Sequence, residues 1–464
     1  MRSLYDLEWR ANVSDRPLSW LGIVRLGLVQ TALGSIVVLT TSTLNRIMVV
    51  ELALPAMLPG ALVGLHYVLQ VFRPRLGHGS DVGGKRSPWI VGGMALLCIG
   101  GTTASLATAW MASNLAAGIA LAITGFVFIG IGVGAAGTSL LVLLAKRTDE
   151  SRRGAAATIV WVMMIGGFIV TAVIAGHLLD PFSPRRLVGI TTALSVLAFL
   201  LSLVAIWGIE GDQPASASGP EHTRSVQSSS FRNALFEVWS EPQARRFAVF
   251  VFLSMIAYSA QDLILEPFAG LVFGLTPGQT TQLSGIQNSG ALIGMLIVAI
   301  FSSGIGVRRR GSLKSWTIGG CLASALALCL LAASGIVGPA WSLRPTVFAL
   351  GLANGVYAIA AIGSMMSLVG SGRANREGVR MGLWGAAQAI AFGMGGLLGT
   401  LASDLARLLL GSATTAYAVV FMGEAVLFLL SAFLATRTAV ALSGGAQPGR
   451  ADMAVAFAAP LTET

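Results

Sequence analysis

Charge is what this chain lacks. Only 11% of its 464 residues are Asp, Glu, Lys or Arg, 55% are hydrophobic, and mean hydropathy is +0.78. Soluble domains carry about 25% charged residues, so a soluble fold is excluded and a polytopic membrane protein is expected. Cysteine is almost absent too: Cys98, Cys321 and Cys329 all fall inside apolar runs, which excludes a disulfide or zinc framework. The acidic residues are scattered singly, without the aspartate-rich clusters that hold a magnesium diphosphate, so prenyl-transfer chemistry is not expected and the chain reads as no enzyme. A cleavable signal peptide is not expected either, because Asp6, Glu8 and Asp15 precede the first apolar run.

What is present is a series of apolar runs. Twelve reach the roughly 20 residues needed to cross a ~30 Å hydrocarbon core, from 18–43 for the first and 56–76 for the second to 381–403 and 414–436 for the last two. The net charge of +10 is distributed by membrane side, not gathered on one face, so it reads as a topology signal and not as a nucleic-acid surface. With the N-terminus inside, the inner loops hold most of the basic residues, among them Arg73, Arg75, Lys146, Arg147, Arg152, Arg153, Arg308 to Arg310 and Lys314. The outer side holds only Arg46, Arg185, Arg186, Arg344 and Arg407. Both termini are therefore expected in the cytoplasm.

The chain also repeats itself. An offset of 227 aligns Gly77 with Gly304, Gly84 with Gly311, Trp89 with Trp316, and Gly92-Gly93 with Gly319-Gly320; an offset of 223 aligns Arg153 with Arg376 and Gly176 with Gly399. Two parallel six-helix halves follow. The expected organisation is an N-terminal bundle over 1–209, a Ser- and Pro-bearing linker over 210–244, a C-terminal bundle over 245–437 and a tail over 438–464. Where the first copy has Asp81, Lys85 and Arg86, the second has Arg308, Ser312 and Leu313.

Ionisable residues within apolar runs cost several kcal/mol each, about 2.5–3.5 on insertion scales, so they mark candidate sites. The cores of helices 3, 4 and 5 have none, which favours an apolar substrate, or no substrate, over a sugar or organic ion. Asp262 and Glu266 are four apart on one face of helix 7, with Asp262 about two-thirds across and Glu266 and the helix-breaking Pro267 near the outer surface. They read either as a gate or ligand site in a central cleft or as a solvated helix end. His66 falls near the midplane of helix 2, as a metal ligand or as a histidine hydrogen-bonded inside the bundle. Glu424 in helix 12 must pair, protonate or face a cavity.

The segment Gly77-His-Gly-Ser-Asp81-Val-Gly-Gly84-Lys85-Arg86 resembles the helix 2 to helix 3 loop of the major facilitator superfamily. The resemblance implies that fold, all-α with twelve helices, and a conformational hinge at Gly77, Asp81, Gly84, Lys85 and Arg86. Two further runs, Thr43-Leu-Asn45-Arg46-Ile-Met-Val-Val-Glu51-Leu52 and Gln261-Asp262-Leu-Ile-Leu-Glu266-Pro267-Phe268, resemble the PucC family of phototrophic bacteria, and Ala53-Leu54-Pro55 looks closer to its branch labelled bacteriochlorophyll synthase chain. This implies handling or delivery of bacteriochlorophyll and assembly of light-harvesting complexes in the inner photosynthetic membrane. The pigment would be cargo, and antenna polypeptides or pigment-synthesis enzymes would be partners. His66 then becomes the candidate ligand of the pigment's magnesium. Asn45, Arg46, Glu51, Asp262 and Glu266 become the candidate outer gate, closed by an ion pair from Arg46 to Asp262 or Glu266. A small-solute exporter remains the alternative, since the fold does not determine the cargo.

Overall fold

The computed structural model describes residues 18–70, 85–210, 239–303, 311–369 and 377–438. Among them run twelve long helices: α1 (Trp20–Glu51), α2 (Met57–Leu69), α3 (Ser87–Met111), α4 (Leu115–Arg147), α5 (Glu150–Leu179), α6 (Pro184–Ile206), α7 (Pro242–Phe273), α8 (Pro277–Ser303), α9 (Leu313–Val337), α10 (Leu343–Val369), α11 (Glu377–Leu410) and α12 (Ala413–Thr438). Ten are long and apolar enough to cross a membrane by length and composition alone; a 25-residue helix such as α3 spans about 38 Å at ~1.5 Å per residue. Their outward faces are paved with exposed Leu, Ile and Val, as on α6 and α12, while Ser, Thr and Gly turn inward. An apolar surface over an equally apolar core suits a hydrocarbon solvent.

The halves repeat in space as they do in sequence. In the first, α1 packs on α5 and α6, α4 packs on α2 and α3, and α3 packs on α6. In the second, α7 packs on α11 and α12, α10 packs on α8 and α9, and α9 packs on α12. Each pairing recurs six helices later. The glycines explain part of this. A Cβ on Gly93 would lie 2.6 Å from the Ala136 backbone nitrogen of α4, and one on the aligned Gly320 would lie 2.6 Å from the Tyr357 nitrogen of α10. Their neighbours Gly92 and Gly319 meet nothing within 4 Å. Only one glycine of each doublet lets two backbones touch.

One helix end and one proline differ from expectation. The first helix continues past residue 43, through two π-helical turns at Leu39–Thr43 and Ile47–Glu51, and stops where Ala53 takes a positive φ of 49° ahead of Pro55. Arg46 thus belongs to the bundle, with 2% of it exposed, and not to an outer loop. Helix α7 is not broken by Pro267. It runs on to Phe273 and ends at Gly274, whose left-handed φ of 66° gives the usual glycine stop.

Gly93→Ala should therefore destabilise the protein by about 1–3 kcal/mol through overpacking, while Gly92→Ala should be neutral or gain up to about 1 kcal/mol of helix propensity. Thermal unfolding of both variants beside wild type checks the contrast between adjacent residues.

Candidate functional site

The two halves pack along α5 with α8 and α2 with α11, and α1 meets α7 and α8 at the end of the bundle where α1 and α7 finish, here called the far end; the other, where α2 finishes and α3 starts, is the hinge end. At the far end, hydrogen bonds cross the interface in steps along α1. Ser42 Oγ lies 3.0 Å from Ser284 Oγ of α8 and Thr43 Oγ1 lies 3.0 Å from Thr281 Oγ1. Asn45 Nδ2 donates to the Leu263 carbonyl of α7 at 2.5 Å, and Arg46 Nη2 donates to the Leu275 carbonyl at 2.7 Å.

The Asn45 bond has a specific cause. In an α-helix the Leu263 carbonyl accepts from the N–H four residues on. That residue is Pro267, which has none. A carbonyl left bare in a dry interior costs about 1–3 kcal/mol, and Asn45 supplies the missing donor from the other half. Pro267 thereby makes a socket in α7 that the extended α1 fills.

Arg46 forms its salt bridge with Glu51, on its own helix, and not with Asp262 or Glu266 as expected. The π-turn at Ile47–Glu51 brings Glu51 round to the guanidinium, and a Cβ on Gly270 of α7 would lie only 3.1 Å from Arg46 Nε and Nη2, so the arginine lies flat against that glycine. Glu266 is 1% exposed, which removes the reading of a solvated helix end. It accepts from Ser284 Oγ, and the hydroxyls of Ser42 and Thr280 stand beside it. Asp262, half-buried and one turn nearer the hinge end, reaches Gln287 at 3.5 Å.

Two carboxylates that sequence reasoning missed complete this end. Asp404 of α11 accepts from the Ala56 and Met57 N–H groups at 2.9 and 2.7 Å, capping α2 of the other half. Asp180, just after α5, accepts from Thr276 Oγ1 at 2.6 Å and from Gly278 N–H at 3.2 Å, capping α8. The arrangement is reciprocal: each half caps a helix of the other, using a carboxylate where the helix N-terminus carries partial positive charge. A signal existed, because these aspartates lie 224 positions apart, one step from the offset that aligns Gly176 with Gly399.

Nearer the middle, three half-buried aromatic residues from α2, α7 and α11 form a row across the interface. Tyr67 and Tyr258 flank Phe392 with ring centroids 5.7 and 5.8 Å away. His66 stands behind Tyr67, 2% exposed, its Nε2 2.9 Å from Gln70 Nε2, and its backbone carbonyl packs on Gly130 of α4. That is a histidine inside the bundle; a magnesium could reach the ring only after α2 moved. Glu424 is buried in α12 between Phe421 and Phe428 with neither oxygen hydrogen-bonded.

At the hinge end, Gly77, Asp81 and Gly84 lie outside the described residues. Lys85 is exposed, and the Arg86 and Ser87 N–H groups donate to the Glu210 carboxylate, at 2.7 and 2.6 Å for the nearest contacts, so the start of α3 is capped by the residue that opens the linker after α6.

Comparison with known proteins gives this geometry its context. The family model described as PUCC protein matches residues 43–442. The chain belongs to the PUCC family. It is 52% identical over 432 residues to the bacteriochlorophyll synthase 44.5 kDa chain of Rhodobacter capsulatus, covering 93% of this chain and 98% of that one. It is 26% identical to the protein PucC of the same organism, over 85% of this chain and 86% of that one. Among solved structures, the D323A mutant of the nucleoside transporter NupG superposes with a TM-score of 0.67 over 90% of this chain and all of its own, at 15% identity. That likeness is one of fold: this PUCC-family chain has the two-bundle architecture of the major facilitator transporters.

Removing Glu51 should harm the protein more than removing Arg46. Glu51→Ala strands a buried guanidinium at a cost of about 3 kcal/mol, the low end for such a loss because Glu51 is 33% exposed. Arg46→Met leaves a solvent-accessible carboxylate and one bare carbonyl, about 1–2 kcal/mol. Thermal unfolding in detergent, ranked wild type, Arg46→Met, Glu51→Ala, checks the order.

Proposed function

We propose that this PUCC-family protein handles bacteriochlorophyll or a closely related tetrapyrrole and delivers it to antenna polypeptides or pigment-synthesis enzymes, assisting the assembly of light-harvesting complexes. The observation that carries the proposal is the near full-length similarity to a chain named for bacteriochlorophyll, on a transporter-type fold. The aromatic row of Tyr67, Tyr258 and Phe392 supports it, since flat apolar faces between two halves suit a macrocycle held chiefly by burial and dispersion. The absence of charge from the cores of α3 and α4 supports an apolar cargo. A synthase activity of its own is not part of this reading, because the sequence carries no aspartate-rich cluster; the word in the relative's name is best read as membership of a pigment-synthesis assembly. The setting proposed is the inner photosynthetic membrane, both termini cytoplasmic, with the far end facing out, as the basic-residue bias supports.

Purification from a pigment-producing host tests the proposal: wild type should carry bound chlorin by absorbance, and protein free of pigment would contradict it. His66→Ala then decides the ligand. Because His66 is enclosed by α4 and bonded to Gln70, the variant is expected to keep its pigment, whereas loss of pigment would restore His66 as the magnesium ligand and imply that α2 moves. Deleting the gene should lower assembled antenna more than total pigment; unchanged antenna, with transport of a soluble solute in liposomes, would favour the exporter reading.

A further inference from the structure

At the far end Arg46 and Glu51 pair with one another, Asp180 and Asp404 sit on helix N-termini, and Glu266, 1% exposed between the halves, forms no ion pair with a basic side chain among the described residues. Arg46 is near enough to act on it electrostatically but makes no hydrogen bond to it; Nη1 donates to Glu51 and Nη2 to the Leu275 carbonyl, and its Nε–H is buried without a partner. An uncompensated carboxylate in a dry membrane interface is expensive.

The surroundings suggest what compensates it. Glu266 is ringed by oxygen. Ser284 Oγ bonds one carboxylate oxygen, Ser42 and Thr280 hydroxyls stand beside it, and Ser42 Oγ is 3.0 Å from Ser284 Oγ. The other carboxylate oxygen, Oε2, is buried without a hydrogen bond, and so is Asn45 Oδ1 one helical turn along the same contact. Two orphaned acceptors next to three hydroxyls form a set of hard oxygen donors, the kind that takes a hard cation. With a single carboxylate among them, the charge they balance is one.

We infer that Glu266, Ser42, Thr280 and Ser284 form a sodium-ion site between the two halves. Ser42 comes from α1 in the first half, and Glu266, Thr280 and Ser284 come from α7 and α8 in the second. An ion there bridges the halves and stabilises the state in which the far end is closed, so sodium binding biases the conformational equilibrium of the carrier. The π-helical turn at Leu39–Thr43 fits this role, because such turns rotate the following residues and here bring Ser42 and Thr43 to face α8. The inference rests on the transporter-like reading of the fold and not on the pigment.

The test uses purified full-length protein in nanodiscs, without pigment. Its thermal midpoint is followed as sodium chloride replaces choline chloride at constant ionic strength, with potassium chloride as a second control, and binding of radiolabelled sodium is measured directly. A saturable, sodium-specific rise is expected in wild type and is abolished in Glu266→Gln. Ser42→Ala and Ser284→Ala keep the carboxylate and serve if Glu266→Gln folds poorly; each should raise the half-saturating sodium concentration by about tenfold, equivalent to about 1.4 kcal/mol. Equal midpoints in sodium and choline with no bound radiolabel would overturn the site. A response to pH alone, lost in Glu266→Gln, would overturn it as well, by showing that a proton fills the place. Failure of pigment to co-purify leaves every one of these readouts intact, so the two proposals fail separately.

Discussion

A backbone carbonyl in hydrocarbon has no water to turn to, and the far end of this protein is built around one such group. Pro267 strips the Leu263 carbonyl of its helical donor, and Asn45 reaches across from the other half to replace it. Because the socket is in α7 and the plug in α1, satisfying it requires the two bundles to come together at that end. The continuation of α1 past the π-turn at Leu39–Thr43 is what carries Asn45 and Arg46 far enough to do so. Around this bond the Ser–Ser and Thr–Thr pairs, the Arg46 contact with Leu275 and the paired aspartate caps all serve one geometry. Each interhelical hydrogen bond in a membrane is worth only about 0.6–2 kcal/mol, so the closure is a sum of small terms that a conformational change can undo.

The same logic separates scaffold from mechanism. Within each half, glycine and small residues bring backbones into contact over long stretches, as at Gly93 and Gly320, and these interfaces have little reason to move. Between halves, Gly176 and Gly278 likewise bring the backbones of α5 and α8 together, while the tips of α1 and α7 are held by side-chain polar contacts and the middle by partly exposed rings. The polar contacts and the rings are the part that can be exchanged for water or for cargo.

The helices were legible in the sequence because each carries its own hydropathy signal, and the pseudo-repeat was legible because glycines at helix contacts tolerate few alternatives. The candidate site was only half legible. Asn45, Arg46 and Glu51 looked like the end of a span since polar residues usually mark one; seeing Asn45 and Arg46 inside requires knowing that α7 and the turn after it offer the Leu263 and Leu275 carbonyls in return. Pro267 misled for a related reason, reading as a helix break and placing Glu266 at the surface, whereas the bond it removes is replaced from another helix. Arg46 was matched to the wrong acid because helical spacing favours partners three or four apart, and Glu51 at five becomes a neighbour only through a π-turn. Asp180 follows α5 and Asp404 falls just past the apolar run that ends at 403, places where a carboxylate ordinarily needs no explanation.

The most direct test of this account is a double-mutant cycle between Asn45 and Pro267, read by unfolding in detergent. Pro267→Ala returns a donor to the Leu263 carbonyl, so Asn45→Ala should lose most of its cost in that background, giving an interaction energy of about 1–2 kcal/mol. Costs that simply add, to within about 0.5 kcal/mol, would show that Asn45 and Pro267 act independently and that the closure of the far end has another origin.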